Sequence, residues 1–180
     1  MKEPIWTNDW ACQHYKSWRN HLGKFAGIEA HALEIGSCEG RSTCFFVQHI
    51  LSHENSTMTC VDPFIMSKEE TFWHNVDALN CRDKINLLKM ESDKAKLDFK
   101  MWDFVYIDGN HSARHTLTDA VRAWVSVKKG GVMIFDDVLW RMNELQRRDC
   151  PKMGIDTFIN IYEKEMKILQ LGGQAIIEKV

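Results

Sequence analysis

Two kinds of apolar pattern alternate along this chain: short unbroken runs, and stretches where apolar residues recur every three or four positions. The unbroken runs at 31–36, 57–61, 84–90, 104–107 and 132–135 read as buried strands. Between them, Phe45, Phe46 and Ile50 give 41–51 a helical face, 68–79 looks helical, and Leu117, Ala120, Val121 and Trp124 fall at helical spacing. Further helices are expected over 9–20, over 92–97 with Ser92 as cap, and over 154–166. Lys128-Lys129 before Gly130-Gly131 is a helix C-terminus signal. The tail reads as a hairpin, 167–171 and 174–179, turning at Gly172-Gly173.

Strands that alternate with helices imply an α/β fold: a doubly wound, mostly parallel sheet of seven strands, flanked by the antiparallel C-terminal hairpin. Residues 1–180 form a single domain in this reading, with 1–30 as an N-terminal helical cover and 31–180 as the core. Ligands of such sheets sit beyond the carboxyl ends of the strands. Those ends carry Glu34 and Gly36, Asp62, Met90 and Glu91, Asp108, and Asp136 with Asp137. One acid after a strand means little, but acids at each successive end describe an organised polar rim.

The turn after the first strand, Leu33-Glu34-Ile35-Gly36-Ser37-Cys38-Glu39-Gly40-Arg41-Ser42, narrows the ligand. A dinucleotide fingerprint needs glycines where backbone amides approach a pyrophosphate. Counting from Gly36, Cys38 and Arg41 occupy those positions, and Glu39 adds negative charge beside a doubly anionic ligand. S-adenosyl-L-methionine (SAM) has no phosphate and carries a sulfonium cation, so acids here are tolerable or useful. Cys38 is read as a small turn residue.

Composition removes other classes. The 180 residues are 44% hydrophobic and 27% charged with a net charge of −2, which gives no electrostatic case for nucleic acid or an anionic membrane. There is no membrane-length apolar run and no apolar signal core in residues 1–6. The six cysteines lack any Cys-x-x-Cys spacing, so reduced thiols in a cytoplasmic protein are the expectation. Of the seven tryptophans, Trp6, Trp10 and Trp18 crowd the N-terminus, as core or cover, with an aromatic lid over a substrate as the alternative.

The ordered segments resemble a class I SAM-dependent methyltransferase, and within that class the small metal-dependent O-methyltransferases of the macrocin and cephalosporin-tailoring type. The matching pieces are residues 33–43, Val61-Asp62-Pro63-Phe64, Glu91-Ser92, Tyr106-Ile107-Asp108-Gly109-Asn110-His111 and Gly130 through Asp137. The resemblance implies a Rossmann-like fold, SAM as cofactor, Mg²⁺ at the acids and adenine beside Glu91 and Ser92. Two features depart from the pattern. The chain has little room for the extra helices or lid of larger relatives, and Arg114-His115 stands where such enzymes often carry tyrosine.

On this reading Glu34, Gly36, Ser37, Glu39, Gly40, Asp62, Glu91, Ser92 and Asp108 contact the cofactor. Asp62 would accept both ribose hydroxyls. Asp108, Asp136 and Asp137 would hold Mg²⁺, because neighbouring strands lie ~4.8 Å apart and three carboxylates so placed repel one another unless a cation sits among them. Asp108 and His111 form the expected catalytic pair, with His111 as general base because imidazole titrates near neutrality. Asn110, Arg114, Trp140 and Arg141 are candidate substrate contacts. The expected partner is a small hydroxylated molecule, with no nucleic acid and no membrane, and with self-association left open. Alternatives are a metal-independent methyltransferase using His111 alone, a non-catalytic SAM-binding domain, and an NAD-dependent oxidoreductase.

Overall fold

The computed structural model describes residues 2–97, 101–140 and 149–180. Seven strands form one sheet: β1 (His31–Ile35), β2 (Thr57–Val61), β3 (Ile85–Leu88), β4 (Trp102–Ile107), β5 (Val127–Phe135), β6 (Met166–Leu171) and β7 (Ala175–Lys179). Their order is β3-β2-β1-β4-β5-β7-β6. The first five are parallel, and β7 runs antiparallel between β5 and β6. The helices are α1 (Tyr15–Leu22), α2 (Arg41–His49), α3 (Glu69–Ala78), α4 (Ala113–Trp124) and α5 (Pro151–Tyr162). Chain order reverses between β1 and β4, so the crevice expected of a doubly wound sheet opens above those two strands.

Strand alternation sends side chains to two cores. Trp18, Phe46, Phe104, Tyr106, Ile134 and Ile176 fill one face, and Trp102, Trp124, Phe135, Phe158, Leu33 and Ile177 the other. Each fully buried side chain of this size contributes roughly 1.5–3 kcal/mol of transfer free energy. Three of the tryptophans, Trp18, Trp102 and Trp124, are therefore core, whereas Trp10 stays 70% exposed.

Three expected elements differ. The helix over 9–20 begins only at Tyr15, after a short 3₁₀ turn at Cys12–His14, and residues 2–10 run as an extended strap rather than as helical cover. Residues 92–97 form a turn and not a helix, with Lys94 and Ala95 amides bonded to Glu91 and Ser92 carbonyls. Arg122 takes the Ser92 and Ala95 carbonyl oxygens, which a helix would have used internally. Residues 128–131 do not end a helix: α4 stops at Trp124, and the pairing with β4 jumps from Trp102–Val127 to Phe104–Val132. The intervening residues loop out with Gly130 at φ +74°, pinned by Lys128 on Asp103 at 2.8 Å.

Candidate active site

The first strand ends in a turn that only glycine permits at its first position. Gly36 has φ +89°, and a Cβ there would lie 2.0 Å from the backbone oxygen of Asp108. The tips of β1 and β4 thus touch through backbone, with the Asp108 amide bonded to the Ile35 carbonyl at 2.8 Å. Gly40 (φ +83°) caps α2, and a Cβ on it would press on Phe72 at 3.0 Å. Between them Ser37 is 2% exposed, with its hydroxyl buried beside Glu34 and Cys60. The turn itself, with a backbone cradle that a Cβ at Gly36 would fill, fits a nucleoside cofactor.

The acids around this turn do work other than that expected of them. Asp62 stands at the tip of β2, but its Oδ2 accepts the Ser37 and Cys38 amides at 2.8 Å each, and its Oδ1 accepts the Phe64 amide at 2.6 Å. Three of about four acceptor sites are filled, so it clamps the turn and has too few left for both ribose hydroxyls. Glu34 is fully buried beneath the rim, bonded by Ser42 Oγ at 2.5 Å, by Thr43 Oγ1 and by Cys60 Sγ at 3.6 Å. Its pKa is raised by burial and moderated by the Ser42, Thr43 and Ser37 hydroxyls and the Cys60 thiol. It ties β1 to the first turn of α2 and offers nothing to the crevice. Glu39 accepts the Thr7 amide at 2.9 Å and the Thr7 hydroxyl at 2.8 Å, so it anchors the N-terminal strap. Glu91 is exposed and Ser92 half-buried at the rim of β3, the place expected for adenine contacts.

The second cluster sits on the tips of β4 and β5, whose register runs to Ile107–Phe135, with the Asp136 amide bonded to the Ile107 carbonyl at 3.0 Å. His111 Nε2 lies 2.5 Å from Asp137 Oδ2 and 3.7 Å from Asp108 Oδ1. Ligand atoms of Asp108, His111 and Asp137 all lie within 4.8 Å of one another. Asp137 is turned inward by a left-handed backbone, φ +55°. Asp136, expected as a third ligand, is not in this group: its Oδ2 accepts the Tyr106 hydroxyl and its Oδ1 the Asp137 amide at 2.8 Å.

Electrostatics change the reading of His111. Its hydrogen bonds to Asp108 and Asp137 push the imidazole up to about 9. Burial pushes Asp108 up to about 7, opposed by His111 and reinforced by repulsion from Asp136 and Asp137. The two carboxylates thus favour the charged imidazole, against the free base expected from imidazole's ordinary range. Trp140 stacks on its ring at 4.8 Å, which gives that tryptophan a place at the site. Asn110 accepts the Ser112 amide at 3.0 Å, and Ser112 caps α4 through the His115 amide. Arg141 lies outside the described residues.

Two residues at the site were not singled out from the sequence. Tyr106 is 1% exposed and donates to Asp136, with Asp108 Oδ2 at 3.3 Å. Burial and both aspartates hold its phenol well above the usual range. The period of two that places Tyr106 on the face of Asp108 was available in the sequence. His14 Nε2 comes within 3.9 Å of Asp136 Oδ1, a contact between distant segments that no local pattern reveals. A cavity of about 530 Å³ between Val138, Ile155, Ile159 and Leu171 lies to the side and includes none of these groups.

A glycine turn at the reversal point of a seven-stranded sheet of this order, with acids on the next two tips, defines a class: the class I SAM-dependent methyltransferases. A family model described as a methyltransferase domain matches residues 33–138, and the chain belongs to that family. Among solved structures, an O-methyltransferase from Bacillus cereus in complex with SAH (S-adenosylhomocysteine) superposes with TM-score 0.70 at 16% identity, over 97% of this chain and 84% of that one. The O-methyltransferase TomG from Streptomyces achromogenes, involved in tomaymycin synthesis and bound to SAM, gives 0.71 at 13%, over 93% and 78%. MycE, a methyltransferase of the mycinamycin biosynthetic pathway in complex with Mg, SAH and mycinamycin VI, gives 0.66 at 17%, over 97% of this chain but 50% of its own length. At these identities the likeness is one of fold. A comparison with curated proteins finds no match.

Proposed function

We propose that this methyltransferase transfers the SAM methyl group to a hydroxyl of a small molecule with the help of a divalent cation held by Asp108 and Asp137. The observation that carries the reading is adjacency: the Gly36 turn touches the Asp108 backbone, so a cofactor bound on that turn would lie beside the acid cluster. Two carboxylates suit a hard ion such as Mg²⁺, which keeps its remaining positions for water and substrate oxygen. The nitrogen of His111 is a poorer ligand for it. By analogy of fold, the complex of MycE with Mg and SAH supports a metal beside the cofactor, and the complex of TomG with SAM supports the cofactor alone.

Bound there, a divalent cation would fix the acceptor oxygen and lower the pKa of its hydroxyl. The chain's own groups do the rest. The left-handed Gly36 lets the β1 and β4 tips close on each other, which sets the distance from sulfonium to acceptor. Asp108 and Asp137 hold positive charge at the acceptor end. His111 Nε2 faces both carboxylates, and Trp140 covers one face of its ring. A metal-independent mechanism with His111 as sole base is less favoured, since the hydrogen bonds to Asp108 and Asp137 raise its pKa and stabilise the protonated ring.

The test is to incubate the protein with SAM and a panel of small phenols, sugars and aliphatic alcohols, and to quantify SAH with EDTA and with added Mg²⁺. Acceptor-dependent SAH that disappears in EDTA and returns with Mg²⁺ is expected. Full activity in chelator would remove the metal from the account. SAM binding without product from any acceptor would favour a binding domain without catalysis.

A further inference from the structure

We propose that Cys44 and Cys81 form a redox-sensitive thiol pair, which hydrogen peroxide closes to a disulfide that fastens α2 to the end of α3. The site is separate from the crevice, and the inference stands whether or not a metal binds there.

No spacing rule links the two residues, which meet through the packing of α2 beside α3. Gln48, one helical turn after Cys44, donates its Nε2–H to the Leu79 carbonyl at 3.2 Å. Asn80 then turns the chain with φ +54°, and the Cys81 amide is fixed on the Val76 carbonyl at 2.9 Å. Cys81 Sγ is thereby set 3.9 Å from the Cys44 carbonyl oxygen, and the two thiols hydrogen-bond to each other. Sulfur atoms in such contact need only a small shift to reach the bonded distance of ~2.05 Å. Both residues lie in one apolar cluster, Cys44 at 2% and Cys81 at 1% exposure. A cleft of about 160 Å³ under the N-terminal strap reaches Cys44 between Pro4, Trp6, Tyr15 and Phe45. That is room enough for peroxide, a molecule little larger than water.

Cys81 is the first attacker. The Cys44 thiol donates to it and the Lys84 ammonium adds positive charge, which together hold it below the usual thiol range. Its thiolate displaces hydroxide from peroxide, which leaves Cys81 as a sulfenic acid and, with one proton, releases water. The Cys44 sulfur then attacks the Cys81 sulfur, and its proton departs with the hydroxide as a second water. Two thiols thus give up two electrons and two protons, and one peroxide is reduced to two waters. The link ties α2, whose N-cap is Gly40, to the chain just beyond α3, whose Phe72 lies against Gly40.

The test treats the full chain with a small excess of peroxide, alkylates the remaining thiols and maps its peptides without reduction, with a thermal melt alongside. A linked pair of peptides holding Cys44 and Cys81 is expected, two hydrogens lighter than the separate peptides. The melting midpoint should rise by about 4 °C or more and fall back with dithiothreitol, because the link closes a long loop of the unfolded chain. Cys44→Ala and Cys81→Ala should each lose both the linked peptides and the peroxide-dependent rise. Recovery of both residues as alkylated thiols, or their linkage to other cysteines, overturns the proposal. Oxidation confined to the exposed Cys12 and Cys38 does so too, as does a midpoint that stays or falls once the link has formed. If either variant fails to fold, the wild-type peptide map and melt decide.

Discussion

Asp62 illustrates what a residue type at the right strand end does and does not disclose. The sequence placed a carboxylate at the tip of β2, and it is there. Its three backbone partners belong to a turn more than twenty positions upstream and to its own flank, and no local pattern announces them. Asp62→Ala should therefore lower stability as well as SAM affinity, each by ~1–3 kcal/mol, the range for lost hydrogen bonds to a charged group. Urea denaturation and calorimetry measure the two effects, and an unchanged unfolding midpoint would contradict the clamp. At His111 the residue type was legible but its protonation state was not, because the two carboxylates that raise it come from different strands. Its ring resonances, followed by NMR in chelator, should titrate near 9, and Asp137→Asn should draw the midpoint back toward the ordinary value. A midpoint near 6.5 in the wild type would contradict the cluster. The folded pKa values of both His111 and Asp108 are raised, so stability falls as pH rises: His111 loses a favourable contribution, and ionising the buried Asp108 becomes a cost. For His111 the loss falls between its ordinary value and about 9.

At the scale of elements, most of the fold could be read from apolar periodicity, because strands buried on both faces and helices with one apolar stripe leave strong patterns. The elements that escaped are those whose backbone is satisfied by distant side chains: Arg122 unwinds 92–97 by taking its carbonyls, and Asn75 holds the N-terminal strap. Asn75 is fully buried, with its Oδ1 accepting the Ile5 amide at 2.6 Å and its Nδ2 donating to the Ile5 and Glu39 carbonyls. Together with Thr7 on Glu39 and Asp9 on Arg41 at 2.6 Å, it lashes residues 5–9 onto the cofactor turn. Asn75→Ala should free the strap, so amide exchange at Ile5 and Thr7 becomes fast while the core strands stay protected. Unchanged exchange at Ile5 would show that the strap is held by something else. The glycine turn is the opposite case, legible at once because only glycine allows it. Gly36→Ala forces a Cβ against the Asp108 backbone at a left-handed φ. It should cost at least ~2 kcal/mol and abolish SAM binding, which thermal melting and calorimetry would register together.

The molecule as a whole brings two sites into one crevice, and the sheet order does this without any large insertion. Strand tips from β1 and β2 carry the turn and its clamp, and tips from β4 and β5 carry the acids, so the proposed cofactor end and acceptor end are neighbours in the sheet. That layout was readable from the succession of acids at strand ends. The share of work among them was not, because Asp136 and Asp137 are adjacent in sequence and differ only in what Tyr106, His111 and a left-handed φ do to them. The most direct measurement is anomalous diffraction from crystals grown with SAH and Mn²⁺. The account predicts the nucleoside lying over Gly36–Gly40 and a manganese peak between Asp108 and Asp137. SAH bound away from that turn, or manganese seated elsewhere, would contradict it.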